Sequence, residues 1–167
     1  MAPVGASDAV VLLLGSLPGE ASLAAQRYYA HPHNQFWRLL GGAIREDLAG
    51  LDYDRRLARL NERGIALWDV VAQATRDGSL DSAIRGATAN PLCEFIARHP
   101  RLAAIGFNGQ TAARIGRQAI GPMLGRLVVI DLPSSSPAHT IPLATKAARW
   151  AVLGDLVLGA ENATLRR

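Results

Sequence analysis

The chain has 167 residues, 49% of them apolar, a formal net charge of +4 and a single cysteine, Cys93. This length suits one domain, residues 1–167, whose core can fold without a disulfide or structural metal, and one cysteine excludes an internal disulfide framework or a thiolate metal cage. No basic segment precedes a long apolar one at the N-terminus and no apolar run reaches the length that spans a bilayer, so a soluble, intracellular (cytoplasmic) protein with no membrane partner is expected.

The positive charge is nearly all arginine, Lys146 being the only lysine. The planar guanidinium fork suits phosphate, which is compatible with a polyanionic partner; the basic residues nevertheless alternate with acidic ones, so charge alone argues little.

Ala9-Val10-Val11-Leu12-Leu13-Leu14 is a continuous apolar run rich in branched residues, which predicts a strand buried on both faces. Gly15-Ser16-Leu17-Pro18-Gly19 then turns the chain at the strand's C-terminal end, where open α/β sheets place their ligands. Downstream, Asn34 is spaced to cap a helix with Phe36, Leu39, Leu40, Ala43 and Ile44 on one face. Residues 54–63 predict a charged helix with Leu57 and Leu60 inward, ended by Gly64. Ile65-Ala66-Leu67-Trp68-Asp69-Val70-Val71 predicts a second buried strand, and Asp77-Gly78-Ser79-Leu80-Asp81-Ser82 a loop. Asn90-Pro91 reads as a cap and a first-turn proline opening a helix through Arg98. Leu102-Ala103-Ala104-Ile105-Gly106-Phe107 is a third strand ending at Asn108-Gly109, with a helix from Gln110 to Ala119. Residues 126–132 are a fourth strand that runs into Pro133-Ser134-Ser135-Ser136-Pro137-Ala138-His139-Thr140, and a last helix covers about 142–158. Strands alternating with helices predict parallel crossovers and a layered α/β domain.

The Gly15 turn lacks the lysine and hydroxyl of a P-loop and the three-glycine spacing of a dinucleotide turn, and Ser16 lacks the Gly-x-Ser-x-Gly spacing of a nucleophile elbow. His31 and His33 without a third nearby ligand make a poor metal site. Spacing alone favours Asn34 as a cap. Asn108 suits a turn, yet it also ends a buried strand at the sheet edge that holds Gly15, where an amide offers a base edge one donor and one acceptor.

Gly15-Ser16-Leu17-Pro18-Gly19, Tyr29-Ala30-His31-Pro32-x-Asn34-x-Phe36-Trp37, Gly106-Phe107-Asn108-Gly109 and Leu132-Pro133-Ser134-Ser135-Ser136-Pro137-Ala138 together resemble the uracil-DNA glycosylase superfamily. Within it they are most similar to the hypoxanthine-DNA (deoxyinosine) glycosylase branch. The resemblance runs from about Val10 to Trp150, and four motifs in order, each just past a predicted strand, make it specific. It implies a three-layer α/β/α fold with a central four-stranded parallel sheet, no metal and no cofactor, and DNA containing deaminated bases as the partner of a monomer. Gly15, Ser16, Leu17 and Pro18 match the first motif, which lines the base pocket and normally carries Asp or Asn at its third position. Leu17 departs from that pattern, and Asn34 is the implied catalytic replacement. Tyr29 matches the aromatic position that stacks on the flipped base, with His31 beside it. Asn108 matches a polar position for base recognition or catalysis. Pro133, Ser134, Ser135, Ser136, Pro137 and Ala138 match the loop that enters the duplex; His139 is given no catalytic role.

A base inside a duplex is out of reach, so such an enzyme rotates the nucleotide into a pocket, where a damaged or mispaired base is the least costly to unstack. Departure of the base leaves oxocarbenium character on the sugar and negative charge on the base, and an asparagine carbonyl can hold the attacking water. These motifs hold no lysine nucleophile, so hydrolysis to an abasic site is expected, hypoxanthine first. Uracil, xanthine or mispaired bases are the alternative substrates, and a noncatalytic damaged-DNA-binding module is the alternative from another class.

Overall fold

The computed structural model describes residues 1–75 and 85–157. Four strands, β1 (Val11–Gly15), β2 (Ile65–Asp69), β5 (Ala104–Asn108) and β6 (Val128–Leu132), form a sheet in the order β2-β1-β5-β6, and every neighbouring pair is parallel. β1, β2 and β5 are buried at all five positions, as an apolar run inside a covered parallel sheet must be. The helices are α1 (Glu20–Ala25), α2 (Phe36–Ile44), α3 (Tyr53–Glu62), α4 (Leu92–Arg98), α5 (Gln110–Ile120) and α6 (Leu143–Trp150).

Side-chain alternation along β1 sorts the core into two halves. Val11 and Leu13 pack with Phe36, Leu40, Leu60 and Trp150 from α2, α3 and α6. Leu12 and Leu14 pack with Phe95, Ile96, Ala112 and Ile120 from α4 and α5. The result is the three-layer α/β/α arrangement with a central four-stranded parallel sheet that the sequence led us to expect. In-register pairing sets Gly15 beside Asp69 and Asn108 beside Leu132, so the C-terminal ends of all four strands form one edge.

Several local expectations need correction. The apolar run 65–71 is not one strand: the chain turns at Val70, whose N–H donates to the Gly15 carbonyl. It continues as β3 (Val71–Thr75), paired antiparallel with β4 (Arg85–Ala89) in a separate hairpin. Asn90 does not cap α4; its amide donates to the Asp69 carbonyl, 2.8 Å away. The last helix is interrupted at Ala151 and resumes over 152–157. The predicted loop 77–82 and the end of the last helix at Leu158 lie outside the described residues. By contrast α3 follows its pattern, with Asp52 accepting the Arg55 N–H at its start and Gly64, at φ 63°, just past its end.

Candidate active site

The common edge of the sheet opens into a cleft of about 400 Å³, into which the turn after β1, the Asp69 end of β2, Asn108 and the loop after β6 all face. Gly15 keeps its floor narrow. A Cβ there would lie 2.7 Å from Asp69 Oδ1 and 3.1 Å from Tyr29 Oη, so only glycine lets the carboxylate and the phenol converge on this point.

One wall is the tyrosine segment that leads into α2. Tyr29 has φ 53°, a left-handed conformation that costs a non-glycine residue about 1–2 kcal/mol. Gln26 and Arg45 share that conformation, but each is the ordinary C-cap of a helix; Tyr29 caps nothing. It is held instead by its ring, stacked on Phe36 with centroids 3.6 Å apart and planes 7° from parallel, and by its hydroxyl, which accepts from Asn108 Nδ2 at 3.2 Å. Phe36 covers one face of the ring, so an incoming base can stack only on the other. Asn34 follows, its N–H bonded to the His31 carbonyl and its Oδ1 accepting the Phe36 N–H at 3.0 Å. That last bond satisfies one of the orphan donors at the start of α2 and fixes the direction of the amide. Asn34 is not the N-cap that its spacing predicts: Gln35 holds that position and bonds through no side chain, while Asn34 closes an Asx turn just ahead of it. A carbonyl oxygen has a second lone pair, so this bond leaves Asn34 Oδ1 able to hold a water.

The opposite wall is the serine loop, bonded from three directions. Asn108 Oδ1 accepts the Ser135 N–H at 2.8 Å while its Nδ2 donates to Ser135 Oγ at 2.9 Å. The Gln35 N–H donates to the Ser135 carbonyl at 3.0 Å, and Trp150 Nε1 to the Pro133 carbonyl at 3.0 Å. From α6, Lys146 Nζ donates to Gln35 Oε1 at 2.9 Å and to the Ser136 carbonyl at 3.3 Å. Burial holds the Lys146 ammonium below the usual lysine range.

Both amide hydrogens of Asn108 are engaged by Tyr29 and Ser135, so its amide ties the two walls together. Ser135 is 0% exposed and is the peg on which the loop hangs, and the solvent-facing tip begins at Pro137 and continues through Ala138 and His139. Gly15, Ser16, Leu17, Pro18, Tyr29, His31, Asn34, Asn108, Ser134, Ser135, Ser136, Pro137 and Ala138 line the cleft together. Pro133 stands behind it as the acceptor for Trp150.

Sequence reasoning passed over Asp69. Its side chain lines the cleft and the residue is 3% exposed. Its negative charge is felt by the neighbouring Tyr28, whose phenol is pushed far above the usual tyrosine range by burial first and by Asp69 second. The signal was present: Asp69 is the single charge within the apolar run 65–71, and a charge buried at a strand end is the kind of group that sites are built from.

Residues 2–157 match the family model described as the uracil DNA glycosylase superfamily. A protein of Methanosarcina barkeri named hypoxanthine DNA glycosylase is 37% identical over 149 residues, covering 89% of this chain and 92% of its own. One of the same name from Methanosarcina acetivorans is 37% identical over 140 residues, covering 84% of this chain and 87% of its own. The fold is similar to a solution NMR structure from Methanosarcina acetivorans described as a candidate uracil DNA glycosylase, with a TM-score of 0.82, 33% identity, and coverage of 93% of this chain and 95% of that one.

Proposed function

This chain belongs to the uracil-DNA glycosylase superfamily, and on that premise we propose that the cleft takes a deaminated base flipped out of DNA and supports hydrolysis of its N-glycosidic bond, with hypoxanthine preferred. The activity class, a DNA repair glycosylase for deaminated bases, rests on the family and on the two relatives named hypoxanthine DNA glycosylase. The observation that carries the residue roles is the convergence of Asp69, Tyr29 and Asn34 in one cleft at the C-terminal edge of a parallel sheet.

Deamination of adenine and of cytosine changes the hydrogen-bonding edge of the base in the same way. Adenine N1 and cytosine N3 are acceptors, whereas hypoxanthine N1 and uracil N3 carry hydrogens. An ionised carboxylate only accepts, so Asp69 at the cleft floor favours the deaminated edge and opposes adenine, whose lone pair it would face. A site built around such a bond discriminates strongly, because the wrong partner leaves a buried polar group unpaired. Tyr29 supplies the uncovered face of its ring to the base, and Asn34 Oδ1 orients the water. The water's oxygen bonds to the sugar carbon as the carbon–nitrogen bond breaks, the base leaves with that bond's electron pair, and the water's proton passes to the base or to solvent. The product is an abasic site in an uncut strand.

The protein works as an intracellular monomer on DNA in this reading; among the described residues no helix is long and apolar enough to cross a membrane. The test is release of free base from duplexes carrying hypoxanthine, uracil or xanthine, with chelator present, and with strand scission scored before and after alkali. Hypoxanthine released fastest, and scission only after alkali, is the expected result. Lesion binding with no base released would convert the protein into a damage-binding module.

A further inference from the structure

A second groove, of about 860 Å³, adjoins the base cleft, and Tyr28, Tyr29, His31 and Asn34 line both. None of the chemistry above uses it. Its outer wall carries Arg27, Arg38 and Arg56. Two of these are laid over aromatic rings: the Arg27 guanidinium is 5.5 Å from the Tyr53 centroid and that of Arg56 is 5.1 Å from the Trp37 centroid. Arg56 is further fixed by donating Nε to the Leu51 carbonyl and Nη2 to the Ala49 carbonyl, each at 2.9 Å. Arg27 and Arg38 are exposed. Two carboxylates share the wall, but Asp52 is committed to the Arg55 N–H and side chain, and Asp54 lies in the first turn of α3, where the helix dipole favours it. Trp37 is 4% exposed, and its Nε1 hydrogen is a buried donor without a partner among the described residues, a group that a bound anion or the water it orders would satisfy.

We propose that this groove carries the backbone of the lesion-containing strand, with Arg27 and Arg38 on the phosphodiesters next to the flipped nucleotide. The inference rests on the reading of the first cleft as a base pocket. A nucleotide whose base lies there must leave its phosphates at the mouth, and the wall common to both cavities, from Tyr28 to Asn34, leads the strand toward the arginines. Guanidinium forks suit phosphate oxygens, and a fork already laid over a ring face, as that of Arg27 is over Tyr53, loses less freedom on binding.

The test measures binding of a hypoxanthine-containing duplex against salt for the wild type, for Arg27→Ala/Arg38→Ala, and for Arg114→Ala on the far helix α5 as a control. Each lost phosphate contact lowers the slope of log K against log salt by about 0.9, so the double variant should lose nearly two and the control nothing. Neutralising single phosphates beside the lesion as methylphosphonates should weaken the wild type on one side of the lesion, and that effect should vanish in the double variant. A double variant that keeps the wild-type slope, or a methylphosphonate effect that simply adds to it, overturns the groove. Base release by the wild type is scored separately: release with an unchanged slope condemns the groove alone, and a lowered slope without release condemns the base pocket alone.

Discussion

The two walls of the cleft are stabilised in different ways. The serine wall is held by groups from distant parts of the chain: Trp150 Nε1, the Gln35 N–H and Lys146 Nζ donate to the carbonyls of Pro133, Ser135 and Ser136, and Asn108 Oδ1 accepts the Ser135 N–H. The tyrosine wall takes the geometry of its cleft-facing groups from neighbours in sequence, a ring stacked on Phe36 and a turn closed by Asn34, while Tyr28 behind them donates its N–H to Tyr53 Oη and its hydroxyl to the Ala2 carbonyl, and the wall carries a strained φ at Tyr29. Strain persists where the surroundings over-determine a residue, and it gathers where geometry matters for function. The serine wall thus acts as the fixed reference, and the tyrosine wall holds the groups that the proposed reaction assigns to the base and the water. Tyr29 Oη and Asn108 Nδ2 are the direct link between them.

The largest expected effect is at Asn34. If its Oδ1 positions the water, Asn34→Ala should lower single-turnover base release by at least about 10²-fold, with little loss of affinity for lesion DNA. The same change removes the acceptor of the Phe36 N–H, costing about 0.5–1.5 kcal/mol of stability. Asn34→Asp separates the two roles, since it keeps an acceptor for the Phe36 N–H; its melting temperature should return to the wild-type value. Near-normal single-turnover release by a folded Asn34→Ala protein would reduce Asn34 to closing the turn before α2.

Next comes selectivity. Asp69→Asn replaces an acceptor-only group with one that also donates, so preference for hypoxanthine over adenine should fall by about 1.5–3 kcal/mol, the worth of a hydrogen bond to a charged group. That corresponds to roughly 10- to 150-fold in the ratio of kcat/KM values. An unchanged ratio would remove Asp69 from base recognition.

How much of this was legible in the sequence depends on the range of the interaction. Strand positions followed from apolar runs, because an all-parallel sheet covered on both faces demands them, and α3 followed from its cap and terminal glycine. α1 went unseen because its N-cap, Gly19, bonds through no side chain and the helix has six residues. The β3–β4 hairpin was hidden because its first strand continues an apolar run whose break at Val70 is set by a bond to Gly15 across the sheet edge. In the site, Asn34 was legible as a residue that starts α2 because its bond to the Phe36 N–H spans two residues, though it sits one position ahead of the cap itself. The bonds by which Asn108 joins the two walls were not legible because its partners lie 27 and 79 residues away. Lys146 was seen only as a charge; its partner Gln35 is 111 residues distant.

The contrast between the walls is itself testable through stability. Asn108→Ala strands the buried Ser135 N–H, and an unsatisfied buried group costs about 1–3 kcal/mol, so this variant should melt early and lose activity with it. On the other wall, Tyr29→Gly should be more stable than Tyr29→Ala by about 1 kcal/mol, since glycine adopts the left-handed conformation without the steric penalty. Both should lose base release, because stacking on an aromatic ring is worth about 1–3 kcal/mol per base. Tyr29→Phe keeps the ring but drops the acceptor for Asn108, so its release should fall between wild type and Tyr29→Ala. A Tyr29→Ala protein that melts early yet releases base at the normal rate would make Tyr29 a packing residue only.

The smallest effect lies away from the cleft and checks that the walls, and not general stability, govern activity. Glu46, in the connection after α2, accepts from Arg59 Nε at 2.8 Å and from Arg63 Nε at 2.6 Å, which ties that connection to α3. Burial pushes its carboxyl up, but the hydrogen bonds and charges of Arg59 and Arg63 outweigh this and hold it below the usual glutamate range. A carboxyl with a lowered folded-state pKa adds stability above its unfolded value, and that contribution is lost as pH falls through the folded value. The melting temperature should therefore drop on acidification across this window, and Glu46→Gln should flatten that part of the profile. Arg59 and Arg63 are partly exposed, so solvent and salt screen the interaction and the difference should shrink at high ionic strength. At neutral pH and a temperature where both proteins are folded, Glu46→Gln should release base at the wild-type rate. A rate that falls with Glu46→Gln in the fully folded protein would mean that the α2–α3 connection helps to place Asn34.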